Sequence, residues 1–199
     1  RDVVSRAIFN EMKMNGEKII SAQINEVWSA LNDPEKLKLA IPGAESVEKN
    51  DDENLTATVK TKIGPISARF TGKISLSNIN PPFSYTLTGE GTGGAAGFAK
   101  GSANVELIEV QEGTLLKYDV NANVGGKLAQ IGQRLIDTAA NKLADDFFGK
   151  FNEILNKDDI EIDNIEIDIN DNKGLSQNSW IVILVILTSL SLLFWYSLS

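Results

Sequence analysis

Between Leu55 and Val124 the chain keeps one hydrophobic rhythm, and after Gly125-Gly126 it changes to another. Leu55, Ala57, Val59, Thr61 and Ile63 alternate with Thr56, Thr58, Lys60 and Lys62. The same alternation runs through Ile66–Leu76, Phe83–Glu90, Ala99–Leu107 and Leu116–Val124. A period of two sends successive side chains to opposite faces, so these segments predict an antiparallel sheet with one dry and one wet face. Gly64-Pro65, Asn80-Pro81-Pro82 and Glu112-Gly113 supply the turns. Beyond Gly126, Leu128, Ile131, Leu135, Ala139, Leu143, Phe147, Phe151 and Ile154 recur at helical spacing. They predict one helix over Lys127–Leu155, ~29 residues or about 43 Å long. A helix with that stripe has to bury it, and the dry face of the sheet is the apolar partner available.

The expected fold class is therefore α+β: a curved antiparallel sheet of six to seven strands around a long C-terminal helix. Ahead of it, a strand is expected at about Lys13–Ile20. Asn25 can cap a helix carrying Val27, Ala30 and Leu31. Asp33-Pro34 marks a second helix running to Ala40 and stopping before Pro42-Gly43. Ala68, Gly72, Gly89, Gly101 and Ala103 are small residues on the inward pattern, and they leave room for a cavity between sheet and helix.

Residues 180–198, WIVILVILTSLSLLFWYSL, are nineteen residues without a charge. As a helix they would span roughly 28 Å, close to the hydrocarbon thickness of a bilayer. Trp180 at one end and Trp195 with Tyr196 at the other suit the headgroup region. The expectation is a single-pass tail anchor in the cytoplasmic membrane, with the domain facing the cytoplasm. Residues 156–173 hold seven acids and two lysines within a chain of net charge −8. Residues 156–179 thus read as an acidic linker, kept extended and off an anionic bilayer by its own charge. The isoleucines at 160, 162, 165, 167 and 169 also suit an edge strand or docking peptide for a basic partner. Residues 1–11 read as an upstream or disordered segment, with Met12 a plausible start, and 12–155 as the globular domain.

The chain contains neither Cys nor His. That excludes disulfides, thiolate nucleophiles, imidazole metal ligands and every triad needing an imidazole base. No carboxylate pair stands out as an acid–base couple, so the expectation is no catalytic residue and no metal. No basic run is present to neutralise phosphates, which argues against a nucleic-acid partner. Asp168, Asn170 and Asn172 begin like a calcium loop, but Lys173 and Ser179 occupy the positions that need Gly and Glu. Gly89-Glu90-Gly91-Thr92-Gly93-Gly94 fits a dinucleotide fingerprint in form only, because another strand rather than a helix follows. It reads as a hairpin loop or, over the eleven residues from Gly91 to Gly101 with their five glycines, as a lid over a cavity mouth, with Phe98 as a plug. The candidate ligand-lining residues are Trp28, Ile41, Phe70, Tyr85, Gly91, Gly93, Gly94, Phe98, Gly101, Leu135 and Phe147.

Specific residues also carry a resemblance. They are Met14-Asn15-Gly16-Glu17, then Val27-Trp28, Leu31, Asp33-Pro34, Leu37 and Ile41-Pro42-Gly43 with Glu45. Gly64-Pro65, Gly89-Glu90-Gly91, Gly93-Gly94, Gly97-Phe98-Ala99-Lys100-Gly101 and Gly125 through Gly132 (GGKLAQIG) complete them. Over about residues 12–155 the chain resembles the START-like (SRPBCC, helix-grip) superfamily, and within it the G-subunit family of carbon monoxide dehydrogenase. The resemblance implies a non-enzymatic subunit that tethers a molybdenum-containing hydroxylase to the cytoplasmic membrane. Electrons from such a partner must reach a lipid-soluble acceptor, so a quinone or another apolar small molecule is the expected occupant of the cavity, with no intrinsic cofactor. The alternative is a lipid or polyketide-type ligand carrier or cyclase with no hydroxylase partner.

Overall fold

The computed structural model describes residues 10–163, with side chains described through 157. Seven strands are present: β1 (Asn10–Ile20), β2 (Ala44–Lys49), β3 (Asn54–Ile63), β4 (Ile66–Asn80), β5 (Ser84–Thr92), β6 (Phe98–Val110) and β7 (Gly113–Gly125). They form one antiparallel sheet in the order β1-β7-β6-β5-β4-β3-β2. Helices α1 (Ile24–Leu31) and α2 (Pro34–Ala40) connect β1 to β2. Helices α3 (Lys127–Gln130) and α4 (Gln133–Asp163) follow β7, and the compact unit closes at Asp163.

The alternation sorts side chains as expected. Leu55, Ala57, Leu76, Tyr85, Leu107, Leu116 and Val124 are buried on the inner face, while Lys73, Glu90, Lys100 and Asn123 form an exposed outer row. Three apolar clusters lie between the sheet and the helices. Ile20, Val27, Ala40, Leu107, Leu116, Phe151 and Leu155 fill one end. Val124, Leu128 and Ile136 close the other, with Phe70 and Ile131 against them. Val47, Leu55, Ala57, Leu76 and Tyr85 make the middle wall.

Local details depart from expectation in four places. First, β1 begins at Asn10, which pairs with Val124, so it reaches two residues into the segment read as upstream. Second, the cap of α1 is Gln23 rather than Asn25, and its backbone N–H donates to the Glu26 carboxylate at 2.9 Å. The Asp33 cap of α2 is as expected: its carboxylate accepts from the Glu35 and Lys36 N–H groups at 2.9 and 3.4 Å. Third, the long helix is interrupted. Gly132 has φ +90°, a left-handed conformation open to glycine, and it separates α3 from α4. Fourth, α4 runs through residues 156–163, eight residues into the expected linker.

The remaining linker, 164–179, and the apolar segment with Trp180, Trp195 and Tyr196 lie outside the described residues. Among the described residues, no helix is long and apolar enough to cross a membrane.

Candidate functional site

The sheet curls around α4 without filling the space beneath it. Two adjoining chambers remain. The inner one, about 250 Å³, lies between the α1–α2 segment and the middle wall, lined by Leu37, Ile41, Leu55, Leu76, Tyr85 and Phe147 among others. The outer one, about 420 Å³, lies under Ala140–Phe148 of α4, against Met14, Ile41, Pro42, Val59, Thr61 and Val120. Ile41, Tyr118, Phe147 and Phe148 line both. Tyr118 stacks on Phe148 with ring centroids 5.4 Å apart, and Phe147 meets Phe148 edge-on at 5.1 Å, so an aromatic partition stands between the chambers. No Asp, Glu, Lys or Arg side chain lines either chamber; the polar side-chain atoms are those of Thr61, Tyr85 and Tyr118. Such a lining suits an apolar molecule and offers no charged acid–base group. Two larger hollows of about 720 Å³ each lie on the wet outer face, among Asn, Thr, Ser, Lys and Glu side chains.

On the β1 side an ion pair joins the sheet to the helix: Lys18 Nζ donates to Asp145 Oδ1 of α4 at 2.9 Å. The hydrogen bond from Lys18 and the charge of Asp145 raise the Lys18 pKa above its ordinary value.

The structure brings together three of the residues singled out from sequence: Ile41, Tyr85 and Phe147 line the cavity. Trp28 stands one layer behind, its ring edge-on to Tyr85 at 5.6 Å. Phe70 belongs instead to the far apolar cluster, where its ring lies against Gly93. Gly91 and Gly101 are strand residues, paired with Ala99 and Gly89, so the expected eleven-residue lid contracts to the short connection Gly93–Gly97. Gly94 has φ +59° and nothing within 4 Å of where a Cβ would stand. Phe98 cannot plug the cavity. Its ring lies against Gly125 and borders an outer-face groove with Thr71, Lys73 and Lys100. Leu135 packs beside Gly64 at the β3–β4 turn and is 46% exposed.

The glycines differ in what they do. A Cβ on Gly101 would strike Asn121 O and Ala122, so the missing side chain lets β6 and β7 approach. A Cβ on Gly89 would meet Lys73 O at 3.6 Å and Ile74 and Leu87 at 3.9 Å, ordinary contacts beside the inner chamber. Tyr118 and Phe148 were not singled out from sequence. Tyr118 had a usable signal, its inward parity with Leu116 and Val120; Phe148 lies off the single stripe.

Burial pushes the Tyr85 phenol from 10.0 up to about 12. The folded state therefore keeps a proton that the unfolded chain releases. The resulting stability is fully present below pH 10.0 and is lost as pH rises toward about 12. The expected loss is about 2–3 kcal/mol, read by urea unfolding across alkaline pH. Tyr85→Phe should lack that component of the decline; an identical alkaline decline in both proteins would contradict it.

Among the described residues no group of three or more carboxylates is placed to hold a metal ion. A family model described as that of the carbon monoxide dehydrogenase G subunit (CoxG) matches residues 16–156. A conserved protein from Geobacillus kaustophilus is similar in structure with TM-score 0.69 and 33% identity, over 73% of this chain and 96% of that one. A protein of unknown function from Staphylococcus aureus (TM-score 0.58, 13% identity, 76% and 98% coverage) shares the fold. So does an uncharacterised protein from Rhizobium leguminosarum (TM-score 0.56, 16% identity, 73% and 96% coverage). No curated protein matches the sequence.

Proposed function

The chain belongs to the CoxG family of carbon monoxide dehydrogenase, and on that premise we propose that it is a non-enzymatic, membrane-tethered subunit serving a molybdenum-containing hydroxylase. Its domain recruits that enzyme to the cytoplasmic face of the membrane, and its cavity holds a quinone or another apolar molecule. The observation that carries the reading is the family match across residues 16–156. The uncharged run at 180–198 supports the tether. The two apolar chambers support the ligand.

Deleting residues 175–199 tests the tether. The hydroxylase should move from the membrane fraction to the soluble fraction in cells carrying the deletion. A partner that stays membrane-bound would sink the adaptor reading. The cavity taken alone also favours a second reading, an apolar-ligand carrier with no hydroxylase partner. In that case the deletion would leave hydroxylase distribution unchanged while the domain still bound an apolar probe.

A further inference from the structure

Charge is distributed unevenly along the strands. The thirty-six residues from Asn54 to Gly89 contain four cations and no Asp or Glu, in a chain of net charge −8. Five acids gather at the other end of the sheet: Asp51, Asp52 and Glu53 between β2 and β3, and Glu109 and Glu112 near the β6–β7 turn.

The outer chamber opens into the acid-poor region. β2 pairs with β3 only from Lys49↔Leu55 to Ala44↔Val59, so no strand covers the last residues of β3 on that side. The Lys60 N–H instead donates to Gly43 O at 2.8 Å, which ties the loop after α2 to β3. Farther along, Gly64 lies against Leu135 and Ile131, which ties the hairpin tip to the start of α4. Between these ties lie Pro42, Thr61, Ala140 and Leu143, at the mouth of the outer chamber.

Two large apolar side chains stand in the open on the elements that frame this mouth: Leu39 on α2, 65% exposed and two residues before Ile41, and Leu135 on α4, 46% exposed and beside Gly64. Lys38 precedes Leu39, Arg134 precedes Leu135, and Lys60 and Lys62 bracket Thr61 on β3; all four are exposed, and none makes an ion pair with another described residue. Of the acids on these elements, Glu45 pairs with Arg69, Asp146 pairs with Lys142 and Asp137 accepts from Gln133, while Glu35 lies one turn before Leu39 on α2. Exposed leucines framed by unpaired cations suit an interface that is apolar at depth and anionic at its surface.

We propose that this rim is a docking surface for an anionic lipid bilayer, seated so that the mouth of the outer chamber faces the headgroups. The inference rests on the reading above for the apolar occupant, and it goes beyond that reading by naming the residues that meet the membrane. An acidic protein surface would satisfy the cations. It would not call for exposed leucines beside an opening into an apolar chamber, and so the bilayer is the better fit.

Because the chain contains no Cys, a single environment-sensitive fluorophore can be placed through Leu39→Cys in the full-length protein, with Asp52→Cys as the site at the acidic end. Each labelled protein is mixed with phosphatidylcholine vesicles with and without phosphatidylglycerol, and flotation is measured in parallel. The Leu39→Cys label should shift to the blue with phosphatidylglycerol, the shift should reverse at high salt, and the Asp52→Cys label should not respond. Adding Lys60→Glu, Lys62→Glu and Arg134→Glu should raise the lipid concentration for half-maximal shift by roughly a hundredfold. The salt reversal reads the unsubstituted surface, so the test survives a variant that folds poorly. Equal response at both sites, indifference to phosphatidylglycerol, or a shift that needs an added acidic protein would overturn the proposal. Flotation reads the tether separately: flotation without the Leu39→Cys shift removes the rim and leaves the anchor, and a shift without flotation does the reverse.

Discussion

Replacing Phe151 by alanine is expected to destabilise the domain by about 3–5 kcal/mol. The side chain is 0% exposed. It lies where α4 crosses Ile20 of β1, Val27 of α1, Ala40 of α2, Leu107 of β6 and Leu116 of β7. Its ring also stacks on Phe147 at a centroid distance of 5.5 Å and an interplanar angle of 20°. Truncation removes the transfer free energy of a phenyl ring and opens a void among neighbours held by strand hydrogen bonds, so little collapse can refill it. The measurement is the urea midpoint, with the denaturant slope unchanged if the native fold is retained. Leu135→Ala is the comparison. That side chain is 46% exposed, and its loss should shift stability by less than about 1 kcal/mol. A Phe151→Ala effect as small as that of Leu135→Ala would mean that α4 is not gripped at this end.

Ala144→Phe should separate ligand binding from folding. Ala144 lines the outer chamber from α4, across from Met14, Val59 and Val120. A phenyl ring there would occupy space that is empty, so stability should hold or rise, in contrast to overpacking a filled core. A neutral apolar dye that reports burial should bind at least roughly tenfold more weakly, because losing the contacts of only two methylenes already costs about 1.6 kcal/mol. The readouts are dye titration and thermal unfolding on the same protein. Unchanged dye affinity would place the ligand site outside this chamber. A fall in stability together with affinity would mean that the chamber closes up in solution.

Much of the fold was legible because period-two alternation survives intact in strands of nine to fifteen residues. β2 was not, because AESVEK is six residues long and only Val47 is buried. What holds it in place is its register against Leu55–Val59, a pairing that a single strand's pattern does not carry. The break at Gly132 escaped because Leu128, Ile131 and Leu135 keep helical spacing across it. Periodicity records which side chains are apolar, and it does not record a backbone dihedral. The site divides along the same line. Tyr85 was readable as an inward position of its alternating strand, and Ile41 through the Ile41-Pro42-Gly43 motif. Phe98 could have been excluded by counting, since Ala99 and Gly101 point inward and their neighbour must then point out. The five glycines from Gly91 to Gly101 suggested a loop, but cross-strand hydrogen bonding leaves no trace in composition.

The glycines along the inner face make the capacity of this domain an inherited quantity that natural selection can adjust in small steps. At Gly89 the ordinary spacing to Lys73, Ile74 and Leu87 admits a methyl group, so one codon change could press on Ile74 and Leu87, two side chains of the inner chamber, and leave the sheet standing. Gly101 offers no such freedom, because any side chain would collide with the Asn121 carbonyl and Ala122 and part β6 from β7. Related lineages could therefore diverge in ligand size through the first position while the second stays invariant.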